Sequence, residues 1–502
     1  MFEPVTATLS AEHDVLALAK TRWRPSTASL VAFGGFVLFM VLVLTKATAM
    51  LEPDDYAYRA SIVALSHGHI LLSNAQYEAL NRQLVASGGQ GILQWHHLAS
   101  GKWISEKNPG YPFFAVLFYV LGLLRVTPLF YGGLACVGLF AGTKAWLGRW
   151  AGTYAVWLYC FSGAALTFAW RDTMPSFSDA SLIAAGFGTL LWTMLTKDVS
   201  PQRRMVIGLL GFLALEAAVF IRYTNVIELA IAIAGVLAFS RTVQIRWRTV
   251  GIWLGSVVLF GLGVLAFDQW AYGNATSTGY SPGEITFSLS ALWPNLKAMP
   301  IQLTTSMPFW TLAAVACVVI TVQFARARHR DARGDEHRLV TRRDAMVALV
   351  LAAGWLGLWL LYLTYTWTVH QTGGARGGGG PGAGAMTVHV IRFYLPALGL
   401  IALLGAWLLV RLGRHLAWVL LAGLVVAAVL SFHSMASSRS IGGGPNSGFP
   451  GALSLHDPSV AGRIGQPPKG ASAKPPWGIG LKPPKGVGPG HRTVPTPGTS
   501  AR

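Results

Sequence analysis

The sequence predicts an all-α polytopic membrane protein, with about eleven transmembrane helices and interfacial helices in the first extracytoplasmic loop. Three observations carry that expectation. Charged residues make up only 12% of the 502, and hydrophobic residues 53%; soluble domains carry roughly 25% charged. The mean hydropathy is +0.48. Apolar runs recur from Thr27 to Phe432, with short basic segments between them. Lys and Arg total 39 against 20 Asp and Glu, a net charge of +19. Because these cations sit between apolar runs, they read as cytoplasmic loops rather than a nucleic-acid face. Cys136, Cys160 and Cys317 lie inside apolar runs without metal-ligand spacing and read as small buried residues.

Residues 1–26 form a polar segment ending in Lys20, Arg22, Arg24 and Pro25, which positive charge holds in the cytoplasm. Thr27–Thr45 is the first span. No small-residue cleavage site follows it, so it reads as a retained signal-anchor. The polar stretch Lys46–Pro112 is then outside. Tyr111–Val126 is an apolar run of roughly 15 residues, between a re-entrant segment and a span, and parity decides its placement. If it lies along the outer interface, Lys144/Arg149, Arg203/Arg204, Arg246/Arg248, Arg411/Arg414 and the Arg326–Arg343 loop all fall inside. If it crosses alone, all fall outside, against the orientation rule. A helical pair over Tyr111–Leu134 is the alternative. The further spans are expected at Pro128–Gly142, Ala151–Trp170, Ser181–Leu195, Met205–Ile221, Val226–Phe239 and Thr249–Phe267, then at Phe309–Phe324, Ala345–Tyr365, Phe393–Val410 and Leu416–Phe432. Gly373–Gly384, a glycine-rich stretch, reads as a flexible outer loop. Residues 433–502, rich in Gly and Pro, read as a disordered extracytoplasmic tail.

This topology gathers the chemically capable side chains on the outside. Just past the first span comes Glu52-Pro53-Asp54-Asp55-Tyr56-Ala57-Tyr58-Arg59. Such acids can simply mark a span end. Asp54 and Asp55 also suit a general base, which must be ionised and within reach of an acceptor hydroxyl; nearby cations favour the ionised form. Lys107, after Glu106, suits a phosphate oxygen as a point charge, or snorkels at the interface. Asp179 stands at a span start, where a carboxylate is costly unless paired or functional, and where it also complements a helix N-terminus; it is favoured over Asp172. Arg222 and Arg392 sit at the outer boundary against the positive-inside bias. A lipid phosphate, or pairing with Asp54, Asp55 or Asp179, would account for them. His96, His97, His370 and His389 show no regular metal spacing and read as interface or hydrogen-bonding residues. Glu216 and Glu228 are intramembrane acids of the kind a transporter uses.

Several motifs resemble one family. Pro53-Asp54-Asp55 with Tyr56 and Tyr58 is similar to its Asp-Glu/Asp-Asp signature in the first outer loop. Glu106-Lys107-Asn108-Pro109 resembles its Glu-Lys-Pro motif, with Asn108 inserted. Asp179 falls where it has a second functional Asp. Tyr272-Gly273-Asn274 through Gly279-Tyr280 resembles a recurrent second-loop pattern. Arg392-Phe393-Tyr394-Leu395-Pro396 resembles the start of a late span. Over residues 27–432 the chain thus resembles the polyprenyl-phosphate-dependent membrane glycosyltransferases of the glycosyltransferase-C fold. Within these it looks most like the bacterial relatives of protein O-mannosyltransferases and of lipid A aminoarabinose transferases.

The resemblance implies an inverting transfer of a hexosyl or pentosyl unit from a polyprenyl-phosphate sugar to an extracytoplasmic hydroxyl. Asp54 would be the base, with Asp55 and Asp179 in the catalytic set. Glu106, Lys107, Arg222, Tyr223, Tyr280, Arg392 and Tyr394 would bind substrate. The implied partners are the lipid donor, the acceptor and the bilayer, with no nucleic acid. No cofactor is implied and a divalent metal is not indicated. The competing reading is a transporter or flippase of lipid-linked sugars without transferase activity.

Overall fold

The computed structural model describes residues 25–46, 53–87, 91–243, 245–277, 279–280, 285–331, 341–368 and 390–437. His370, His389, the glycine insert and residues 1–24 and 438–502 lie outside the described residues. The chain divides into two units, and everything described belongs to the first, Met1–Gly462.

Helix α1 (Thr27–Leu44) starts where the Ser26 hydroxyl accepts the Ser29 amide at 3.2 Å, an N-cap that satisfies one of the free first-turn donors. Helix α2 (Pro53–Ser66) opens on a proline, whose missing N–H costs nothing there. Its first turn carries Asp54 and Asp55, on the favourable end of the helix dipole. Helix α3 (Asn74–Ala86) begins with a capping box between Ser73 and Gln76. An antiparallel hairpin follows, β1 (Trp95–His97) against β2 (Trp103–Ser105), with His96 opposite Ile104. Among the described residues the expected all-α architecture therefore contains one small two-stranded exception.

The remaining helices are α4 (Gly110–Val120), α5 (Thr127–Leu147), α6 (Arg149–Cys160), α7 (Gly163–Trp170), α8 (Ser176–Leu195), α9 (Pro201–Ile221), α10 (Val226–Val243), α11 (Trp247–Tyr272), α12 (Leu292–Ser306), α13 (Trp310–Asp331), α14 (Arg342–Leu363), α15 (Leu398–Arg411) and α16 (Arg414–Ser437). Among the described residues eight helices are long and apolar enough to cross a membrane. They become nine if Leu289–Ser306 and Trp310–Arg326, bent by 110°, count as one span.

Three of the eleven expected segments do not form, by themselves, one continuous helix of spanning length. Ala151–Trp170 breaks at Phe161, and the Ser162 hydroxyl accepts the Ala165 amide at 2.9 Å to start α7. The span expected at Phe309–Phe324 qualifies only together with the bent helix before it. Pro396, with no amide hydrogen to give, sits in a short 3-10 turn, Leu395–Ala397, so α15 starts late and stays among the shorter apolar helices. The ambiguous Tyr111–Val126 run is divided too. Its helix α4 has 11 residues, about 16 Å of rise, roughly half the hydrocarbon core.

Helix α8 is the axis of the bundle. It packs along α5 and α9, and even Ser178, Asp179 and Ser181 on it are fully buried. Glycine makes the α5–α8 contact close: a Cβ on Gly188 would stand 2.3 Å from the Gly138 carbonyl carbon, and one on Gly142 2.4 Å from the Gly188 oxygen. Small residues that let backbones touch are how helices associate where lipid removes the hydrophobic drive. By contrast α11 leaves Val258, Leu259, Leu262 and Leu265 exposed, a face a bilayer would cover. The start of α2, the β2–α4 link, the α7–α8 link, the α9–α10 junction and the turn before α15 meet at one end of this bundle.

Candidate active site

Asp54 and Asp55 are adjacent on α2, about 100° apart around the axis, and so serve different neighbours. Asp55 turns inward. The Arg171 guanidinium donates to its Oδ2 in a short contact, and the Thr173 hydroxyl donates to its Oδ1 at 3.1 Å. Both charged side chains are wholly buried, so this pair ties α2 to the α7–α8 link. Asp54 is 17% exposed and sits between two cations: Lys107 Nζ at 3.2 Å from Oδ1, and Arg392 Nη1 at 2.7 Å from Oδ2.

Lys107 is delivered by the hairpin. Its amide is held by the Ser105 hydroxyl at 3.1 Å. Its Nζ reaches Glu106 Oε1 at 3.1 Å, donates to the Tyr280 hydroxyl at 3.3 Å and lies 4.8 Å from the centre of that ring. Burial by itself would lower the lysine pKa. The Asp54 carboxylate, the Tyr280 hydroxyl and Glu106 outweigh it and hold Lys107 above its ordinary value. Glu106 Oε2 is 3.4 Å from His96 Nε2 on β1. Arg392 is cradled by aromatic faces, 4.8 Å from the Phe393 ring centre and 5.3 Å from that of Trp367, a setting that suits a planar guanidinium.

Behind Arg392 lies a second buried pair. Arg222, at the end of α9, sends Nε to Asp179 Oδ2 at 3.1 Å. Its Nη2 donates to the Ser176 hydroxyl at 3.1 Å, and its Nη1 to the Arg392 carbonyl oxygen at 3.0 Å. A cleft of about 370 Å³ opens beside the cluster. It has Lys107 and Ser105 on its polar side, and Leu65, Pro112, Phe113 and Phe267 as an apolar wall.

The structure is similar to ArnT. The crystal structure of apo ArnT from Cupriavidus metallidurans matches at 13% identity with a TM-score of 0.48, over 78% of this chain and 62% of that one. ArnT bound to undecaprenyl phosphate matches at 12% identity and a TM-score of 0.42, over 86% of this chain and 73% of that one. The archaeal oligosaccharyltransferase AglB from Archaeoglobus fulgidus, in complex with an inhibitory peptide and a dolichol-phosphate, matches at 10% identity and a TM-score of 0.43, over 83% and 56%. The chain spans less than two thirds of apo ArnT and of AglB. No family profile and no curated protein matches the sequence.

The residues expected from sequence divide into groups. Asp54, Glu106, Lys107, Tyr280 and Arg392 form one connected cluster. Asp179 and Arg222 join it through the Arg392 backbone, and Asp55 stands beside it on α2. Tyr223 instead donates to Asp268 Oδ1 on α11 at 2.9 Å. Tyr394 is buried edge-on against Trp359 and Tyr362 and reads as packing. His97 is exposed, 5.0 Å from the Trp103 ring.

Other members escaped the sequence reading. Arg171 and Thr173 stand in the link between α7 and α8, where no sequence signal points them to Asp55. Tyr58 lies four residues after Asp54 and so on the same helix face; burial first, then the Tyr280 hydroxyl, raises its pKa against the pull of Lys107. Tyr365, packed 5.2 Å from the Phe393 ring, is pushed up to about 12 by burial. Both phenols therefore keep their protons at neutral pH. Among the described residues no group of three or more His, Cys, Asp and Glu is placed to hold a metal ion.

Proposed function

We propose that this protein transfers a sugar from a polyprenyl-phosphate donor to an acceptor hydroxyl on the extracytoplasmic side, by one inverting displacement. The observation that carries the reading is the seat of Asp54, a partly exposed carboxylate held directly between Lys107 and Arg392. A base and two phosphate-binding cations thus share one small volume. A donor phosphate entering there would compete with Asp54 for both cations and loosen its ion pairs. The acceptor oxygen then attacks the anomeric carbon as its proton passes to the Asp54 carboxylate. The bond from that carbon to the phosphate oxygen breaks, and its electron pair stays on the phosphate. Lys107 and Arg392 oppose the charge that grows there, the kind of fixed electrostatic help worth most in a dry site. The apolar wall of Phe113 and Phe267 suits the first units of a prenyl chain, and links the cleft to the lipid-facing helices α4 and α11.

The direction of the helices supports the sidedness. Helix α8 leaves the site at Asp179, and α9 returns to it at Arg222, so Arg203 and Arg204 at the start of α9 lie at the far end. The same holds for Arg246, between α10 and α11, and Arg248, at the start of α11. Basic loops at that end mark it as cytoplasmic by the orientation rule. The transporter reading draws on Glu216 and Glu228, both buried in spans. Glu216 is hydrogen-bonded to Ser256 at 2.8 Å.

The test is transfer by purified protein in lipid vesicles, fed a polyprenyl-phosphate sugar and an acceptor. Asp54→Asn should lower turnover by roughly 10²–10⁴-fold, the usual contribution of a general base, while donor still binds. Full turnover in that variant would remove Asp54 as the base. Movement of the lipid-linked sugar across the vesicle without transfer would favour the transporter.

A further inference from the structure

We infer that Asp179 and Arg222 form a positioning strut that fixes the backbone from which Arg392 reaches Asp54, rather than contacting the donor. The inference rests on the proposed transferase reading for its kinetic consequences, but its structural content stands apart from that reading.

The Arg222 guanidinium makes two hydrogen bonds and one ion-pair contact, and its three partners come from two elements distant in sequence. Nε faces Asp179 Oδ2 and Nη2 donates to the Ser176 hydroxyl, both in the first turn of α8; Nη1 donates to the Arg392 carbonyl oxygen. Asp179 is anchored in turn, its Oδ1 accepting the Ala180 amide at 2.7 Å. The carboxylate is wholly buried and the arginine side chain 15% exposed. The rigid fork of arginine can serve two acceptors in fixed directions while its charge faces a carboxylate; a lysine ammonium on a flexible stem cannot reproduce that arrangement.

The turn so held is tight. The Phe393 amide bonds to the Val390 carbonyl at 3.1 Å, and the Tyr394 amide to that of Ile391 at 3.0 Å. The Arg392 side chain leaves this turn across Phe393 and Trp367 and ends on Asp54. A sequence of contacts therefore runs from Asp179 through Arg222 and the Arg392 carbonyl to the Arg392 guanidinium and Asp54. Displacing the carbonyl by an ångström would displace the guanidinium that the site uses, and small misplacements of that kind are costly to catalysis.

A strut and a direct phosphate ligand differ in how they combine with Arg392. Donor affinity is measured with a polyprenyl monophosphate in detergent micelles for Arg222→Gln, Arg392→Ala and the double variant. If Arg222 acts through Arg392, Arg222→Gln weakens binding by about tenfold alone and by less than twofold in the Arg392→Ala background, the mark of coupled sites. Arg222→Lys should behave like Arg222→Gln. Independent, multiplying losses, or near-full rescue by lysine, would overturn the strut.

Ser176→Ala removes one of the three contacts and serves if Arg222→Gln does not fold; the same cycle with it should show a smaller loss, again absent without Arg392. Hydrogen exchange of residues 390–394 is the readout that needs no ligand. It should speed up in Arg222→Gln and Ser176→Ala, and unchanged exchange would refute the strut even if the protein proved to bind no lipid phosphate. Absence of binding and transfer in the unmodified protein, with faster exchange in the variants, would instead sink the transferase reading and leave the strut standing.

Discussion

Asp54 and Asp55 show how one position along a helix separates two jobs. Asp55 is locked to Arg171 and Thr173 with no exposure, and breaking such a buried pair from one side leaves an uncompensated charge. Asp55→Asn is therefore expected to destabilise the protein by about 3–5 kcal/mol, read as a lowered thermal unfolding midpoint in detergent. Asp54→Asn, at a partly exposed seat and with Glu106 still beside Lys107, should lower that midpoint by less. Equal midpoints for the two variants would contradict the division.

Lys107 adds a pH expectation. Its folded pKa lies above the ordinary 10.5, so its stabilising charge is fully present below that ordinary value. It is lost only as the pH rises through the higher folded value. The stability difference between the protein and Lys107→Met should accordingly stay flat from about pH 7 to 10, and a difference that shrinks over that range would refute the pairing.

The charges themselves were legible in the sequence because a chain so poor in acids places them at span boundaries. What sequence left open was whom each one faces. Arg171 stands in the same short segment as Asp179, yet only the fold turns it onto Asp55. The choice of Arg222 as a group of interest came from its outward position, whereas its three protein partners are a tertiary fact.

Among the elements, the hairpin and α4 matter most to the site. Strand β2 ends two residues before Lys107, and α4 begins three residues after it, so both fix where the ammonium stands. Gly110 opens α4 against the end of α9, where an added Cβ would lie 2.4 Å from the Phe220 carbonyl carbon and oxygen. These are backbone atoms that cannot swing aside. Gly110→Ala should thus cost about 1–3 kcal/mol in stability through overpacking and lower transfer by moving the Lys107 segment. Unchanged unfolding and activity would show that α4 yields freely there.

Long apolar elements were readable from hydropathy alone. The break at Phe161 and Ser162 was hidden because both halves are apolar and the interruption is a single hydroxyl cap. The late start of α15 had a visible cause in Pro396, but the hydrophobic run continues straight through it. Hydropathy records what a segment can dissolve in, and says nothing of whether its backbone is continuous.

At the scale of the molecule, the site end and the basic end are opposite poles of the helical bundle. Lys102 lies exposed in the hairpin turn, and Arg248 exposed at the start of α11. A cysteine at Lys102 should react with a membrane-impermeant reagent in intact cells, and one at Arg248 only after permeabilisation. The reverse pattern would invert the topology and place the site in the cytoplasm. The overall class was set by composition, since a chain with so few charges cannot coat a soluble surface. Parity read from the cationic loops supplies the expected sidedness, and this pair of labels tests it.

The seat of Asp54 has one more consequence for a working cycle. A tightly held spent lipid is a hazard for any protein that must release a charged product into a membrane. Under the proposed transfer, an internal anion waits within reach of both cations that a phosphate product would occupy. As the departing phosphate loosens, the carboxylate, once rid of its proton, can cover each cation in turn. The pocket would then expel its own product and return to neutrality without borrowing an ion from the surrounding water.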